Sequence, residues 1–127
     1  MLFAGCASTV TAKLAASYAP LNENEPIYIL DVNEPLPSQS ELVGSVNIGD
    51  SGFSSNCGYD KVLSLVKDNA RKSGANIVQI SKVFVPNLMT SSCYRMRTNI
   101  YRNFNKESLS KIKSYAETAN KSQLPKQ

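Results

Sequence analysis

The chain has no histidine and no tryptophan in its 127 residues. Without imidazole there can be no Ser/His/Asp triad, no Cys/His nucleophile pair, no histidine-bearing zinc site and no ordinary neutral-pH proton shuttle. No run approaches the 18 or so consecutive apolar residues that a membrane-crossing helix requires. Only three cysteines, four phenylalanines and six tyrosines are present, so any core is modest. The length holds one ordinary domain and not two separately cored ones.

Positive charge is missing from a long stretch. Leu21 to Asp60 carries seven acidic residues and no basic one, whereas Lys61 onward carries thirteen basic residues against three acidic. Basic residues interleave with aromatics only weakly, at Tyr94, Arg95, Arg97, Tyr101, Arg102 and Phe104. That pattern does not predict a nucleic-acid groove. It predicts a solvated basic surface, or one turned toward anionic lipid or a polyanionic partner.

The opening residues, Met1-Leu-Phe-Ala-Gly-Cys6, run an apolar approach through small residues into a cysteine. This resembles the end of a bacterial lipoprotein signal peptide. The resemblance implies that Cys6 carries diacylglycerol, that cleavage removes Gly5, and that Cys6 becomes the acylated first residue. A complete signal peptide needs a basic n-region and about 7–15 apolar residues, so the expected translation start lies upstream of Met1. The alternative is a cysteine with no such role. Residues 1–26 are thus expected to be a signal remnant and a tether rich in Ala, Ser and Thr, closed by Asn22 to Pro26. One acyl chain holds a protein marginally and two or three hold it durably.

Residues 27–120 are expected to form one compact domain of the mixed α/β (α+β) class, with about four strands and two helices, and residues 121–127 a flexible tail. Ile27 to Val32 and Leu42 to Ile48 read as strands, the latter with Leu42, Gly44, Val46 and Ile48 in one phase. Gly44 marks a close approach or a bulge. Gly49 to Gly58 is rich in Gly and Ser but has no basic residue and lacks phosphate-loop spacing, which makes it a connecting loop. Tyr59, Val62, Leu63, Val66 and Ala70 define the buried face of a helix that ends at Gly74. The strand from Ala75 to Phe84 completes a βαβ unit with a right-handed crossover. After Pro86 and the Asn87 to Ser92 loop, Tyr94, Met96, Thr98 and Ile100 alternate with Arg95, Arg97, Asn99 and Tyr101 in a half-buried strand. A last helix runs from about Lys106 to Asn120.

In that topology Cys57, ahead of the helix, and Cys93, ahead of the last strand, fall at the same end of the sheet. A disulfide fits their placement and an oxidising compartment. Two buried thiols, or a reactive or metal-binding cysteine, are the alternatives. Cys57 lacks a CxxC neighbour, and two cysteines with Asp50 and Asp60 fall short of a structural zinc set. Asp50 and Asp60 also make a poor catalytic pair, one in a loop and the other in a first helical turn. No enzyme activity, cofactor or metal is expected.

The stretch from Gly44 to Arg102 resembles the RcsF-like group of small envelope lipoproteins, and more closely the lipoproteins of that kind common in Bacteroidetes. The resemblance is carried by Val43-Gly-Ser-Val46, Cys57 before the helix, Ala70 through Ile80, and Ser92-Cys-Tyr-Arg95. It implies an RcsF-like fold, pairing of Cys57 with Cys93, and residence in the cell envelope, at the outer membrane of a Gram-negative bacterium. It also implies work through protein contacts, as a sensor, adaptor or assembly subunit. The candidate contact surface is Arg95, Arg97 and Arg102 with the Leu88-Met89 loop tip. Small-ligand binding is the alternative.

Overall fold

The computed structural model describes residues 9–49, 57–87, 89 and 93–112. Five strands form one mixed sheet: β1 (Thr9–Leu14), β2 (Tyr28–Leu30), β3 (Glu41–Gly49), β4 (Ile77–Phe84) and β5 (Arg95–Arg102). Helix α1 spans Tyr59–Lys72, and residues 106–112 are helical (α2); the rest of the expected last helix and the expected tail, residues 113–127, lie outside the described residues. The strand order is β1-β3-β5-β4-β2. β2 and β4 pair in parallel, and the other neighbours are antiparallel. The fold is mixed α+β, as the sequence predicts.

Two features differ from expectation. Residues 9–14, read as tether, are a strand, and β1 closes the free edge of β3. Its Ala/Ser/Thr-rich surroundings look alike in a linker and in a short edge strand, so the unpaired edge of β3 decides the outcome. Gly44 permits the approach, because a Cβ there would lie 2.9 Å from Leu14 Cα and closer still to the Lys13 carbonyl oxygen. The βαβ unit is also split. β3 and β4 run parallel on either side of β5, which is antiparallel to both, so they never touch as neighbours.

Two bulges then set which side chains are buried. The register slips between Leu42 and Gly44, so Val43 enters the core and Leu42, expected inside, is 47% exposed. It slips again between Ile80 and Lys82. Val78, Ile80 and Val83 therefore face the core, while Lys82 pairs with Arg97 and Phe84 with Arg95 on the opposite face.

The core lies between the sheet and α1. Val62, Leu63, Val66 and Ala70 are buried on the predicted helical stripe, against Val46, Val78, Met96 and Ile100. Burying each of the larger side chains contributes about 1.5–3 kcal/mol over leaving it in water. The helix ends as expected. Gly74, at φ +81°, donates to the Arg71 carbonyl at 3.2 Å, and Ala75 N–H to the Ala70 carbonyl at 2.8 Å. This is the paired closure that a left-handed residue allows. Gly74 is also roofed by Tyr18 and Ala19, and Arg71 donates to the carbonyls of Asn22 and Glu25 at 2.7 and 2.9 Å. Residues 18–25 are thus pinned over the end of α1.

The other end of β5 leads into a buried asparagine pair. Asn76 Nδ2 donates to the Asn103 carbonyl, and Asn103 N–H to Asn76 Oδ1, both at 2.9 Å. Asn103 Nδ2 reaches Ser38 O and Ser40 Oγ at 3.0 and 2.9 Å, tying down the loop between β2 and β3. Asn105 Oδ1 then caps α2 by accepting from Ser108 N–H at 2.8 Å. A second small cluster, Leu30, Ile77 and Ile112 with Leu36, Tyr101 and Leu109, packs at this end on the face opposite α1.

Gly44→Val should strip β1 from β3 while leaving the rest of the sheet intact, at a cost of about 1–3 kcal/mol. Amide exchange would then be fast across residues 9–14 and slow in β4 and β5. Continued protection of residues 9–14 would contradict the role given to Gly44.

Candidate functional site

Cys57 and Cys93 form a disulfide, with a Cα separation of 5.1 Å and a sequence separation of 36. A second link joins the same two segments: Tyr94 N–H donates to the Cys57 carbonyl at 3.1 Å. Tyr59 and Tyr94 meet edge-on with ring centroids 5.6 Å apart. Burial, and then the nearby Asp31 carboxylate, holds the Tyr59 hydroxyl above its ordinary pKa. This end of the domain therefore has the start of α1 fixed to the start of β5.

The side of the sheet facing away from α1 carries a group of cations. Strand alternation on β5 sends Arg95 and Arg97 there, because Met96, Thr98 and Ile100 are in the core. The bulge in β4 adds Lys82 and Phe84. Lys82 Nζ, Arg95 Cζ and Arg97 Cζ lie 5.1, 5.2 and 5.4 Å from the Phe84 ring centroid, within cation–π range. Arg95 also reaches the carbonyls of Cys93 and Val85 at 3.4 Å. Thr11 and Asn47 continue the surface, lining a shallow groove of about 370 Å³ together with Phe84, Arg95 and Arg97. Among the described residues no carboxylate pairs with these cations, and the one ion pair is Arg102 with Glu25 at 3.9 Å.

Arg102 does not belong to this surface. It is one residue out of phase with Arg95 and Arg97, so strand alternation turns it to the other face. There it stacks on Phe104, with 4.3 Å from guanidinium to ring centroid, and only 15% of its side chain is exposed. One guanidinium nitrogen is buried without a partner. Tyr18 hydroxyl donates to Glu41, which pairs across the strands with Arg102. Arg102 is part of the packing that holds residues 18–25.

Met89, the other half of the predicted loop tip, is 89% exposed. Leu88, Cys6 and Asp50 lie outside the described residues. Asp60 is exposed in the first turn of α1. Among the described residues no three Cys, Asp or Glu side chains gather as metal ligands, and no helix is long and apolar enough to cross a membrane.

Sequence reasoning passed over Lys82 and Phe84. The signal was available: in Ile77-Val-Gln-Ile-Ser-Lys-Val-Phe84 a lysine falls on the phase of Val78 and Ile80, and Val83 falls off it. A bulge is what restores the lysine to solvent.

No protein-family model matches the chain, and neither a curated protein nor a solved structure matches it significantly. The RcsF-like resemblance rests on the sequence motifs alone.

Closing a loop of this length by a disulfide stabilises by up to about 4 kcal/mol on chain-entropy grounds. Replacing Cys57 and Cys93 together with Ser should lower the unfolding free energy by about 2–4 kcal/mol in urea, with the native circular dichroism retained. An unchanged midpoint would show that the staple is dispensable.

Proposed function

We propose that the chain is a lipid-anchored module of the bacterial envelope, acylated at Cys6, that works by non-covalent association and not by catalysis. Its contact surface is the cationic face of the sheet. The observation that carries this reading is the gathering of Lys82, Arg95 and Arg97 around Phe84, with no described carboxylate paired to them. Three like charges so placed repel one another, and an anionic partner relieves that repulsion. They stand on paired strands beside a disulfide, so their spacing is held before any partner arrives.

Separate considerations support the proposed compartment. A disulfide is kept in an oxidising environment, and the small residues before Cys6 resemble a lipoprotein processing site. The RcsF-like motifs point to the same place, the outer membrane of a Gram-negative cell, and to a role as sensor, adaptor or assembly subunit for another envelope component. Arg102 drops out of the contact surface, and Lys82 and Phe84 enter it.

Arg95→Ser with Arg97→Ser tests the surface. Arg97 is exposed and Arg95 is half-buried with two long hydrogen bonds to loop carbonyls; surface substitutions of this kind change stability by about 0.5 kcal/mol each, so the thermal midpoint should move little. Association of the protein with its native membranes and co-purifying components should fall, and what remains should respond less to salt. Undiminished association with the same salt dependence would leave the arginines as solubilising surface only.

A further inference from the structure

We infer that the occupant of the cationic face is the anionic phosphate headgroup layer of a membrane, and that the end of the sheet carrying Lys82, Arg95 and Arg97 is turned down onto the bilayer in which Cys6 is anchored. The inference rests on the proposal that Cys6 is acylated. It goes further in naming what the arginines bind and which way the domain points.

Three independent features meet at one end of the sheet. The first is where the anchor joins the fold. Thr9 pairs with Gly49, and the residue before it in β3, Ile48, pairs with Met96, beside Arg95. β1 therefore begins at the same end as Arg95 and Arg97. Cys6 precedes Thr9 by three residues, which span at most about 10 Å of extended chain. With β1 zipped to β3 there is no long tether, and an acyl group on Cys6 brings this end of the domain down to the membrane surface.

The second feature is the charge. Lys82, Arg95 and Arg97 surround one ring with no described carboxylate among them. Phosphate oxygens suit this arrangement, since arginine donates to them in pairs and several headgroups can be engaged together. The third is apolar. Directly beyond Phe84, Val85 is 57% exposed and Met89 is 89% exposed. Exposed apolar side chains beside cations match the boundary between headgroups and acyl chains. An acidic protein would satisfy the charges, but nothing about such a partner calls for the anchor to leave the fold at the same edge.

The consequence is orientation. Contact along this face adds a second attachment to the lipid anchor, which is how durable membrane binding is reached. The opposite end of the sheet, with the Asn76–Asn103 pair and Phe104 at 64% exposure, is then turned away from the bilayer and free to meet other envelope components.

The test removes the anchor. The full chain carrying Cys6→Ser is floated with vesicles of phosphatidylcholine alone and of phosphatidylcholine mixed with phosphatidylglycerol. It should bind the anionic vesicles, release with added salt, and show little affinity for the neutral ones. Arg95→Ser with Arg97→Ser should weaken binding on the order of 20-fold, and Met89→Ser should weaken it with no change in salt dependence. Equal binding to both vesicles, no binding to either, or indifference to the arginine pair would overturn the inference. So would salt-dependent capture of an acidic protein by these arginines without vesicle binding, which would make the face a protein-docking surface. The mass of Cys6 in protein from native membranes is read separately. An unmodified Cys6 with intact anionic-vesicle binding would sink the anchor proposal and leave the headgroup site standing alone.

Discussion

The insertion of β5 between β3 and β4 is the constraint on which the rest of the structure depends. This one strand is hydrogen-bonded along both edges, and its two faces are chemically opposite. Met96, Thr98 and Ile100 complete the core beneath α1, while Arg95 and Arg97 leave from the other side. A one-residue slip in its pairing would bury both arginines and expose both large apolar side chains, at a cost no small domain can absorb. Thr98 adds a further lock, its hydroxyl donating to the Val46 carbonyl at 2.7 Å inside the core.

The ends of β5 explain why the two ends of the domain differ. Its first residues are joined to α1 by the disulfide and the Tyr94–Cys57 hydrogen bond, so the cations beside them have fixed spacing. Its last residues run into the asparagine pair, which fastens the start of β4, the loop before β3 and the start of α2 without any charge. Buried amides satisfied on each side cost little and specify geometry closely. One end is thus a cationic, externally facing surface, and the other is fastened by a buried amide pair beside the Arg102–Glu25 ion pair.

Much of this could be read from the residues. The stripe of α1, its stop at Gly74, the alternation of β5 and the common end of Cys57 and Cys93 all follow from local periodicity and chain direction, and all are present. What escaped was decided between strands. β1 has composition shared by linkers and edge strands, and only the open edge of β3 distinguishes them. The bulges at Val43 and Ser81 reverse phase partway along a strand, which moved Leu42 out of the core and brought Lys82 and Phe84 to the arginines. Arg102 was grouped with Arg95 and Arg97 by nearness in sequence, although parity along the strand already separates it from them. Asn76 and Asn103 showed no signal, because polar residues 27 apart reveal a shared burial only when the chain brings them together.

The central claim is directional: the stapled, cationic end of the sheet meets the membrane and the asparagine end does not. Hydroxyl-radical footprinting of the acylated protein, free and then on vesicles containing phosphatidylglycerol, tests it most directly, since each end carries an exposed oxidisable side chain. Met89 and Phe84 should become protected on the vesicles while Phe104 stays as reactive as in the free protein. Protection of Phe104 with Met89 still reactive would contradict the account.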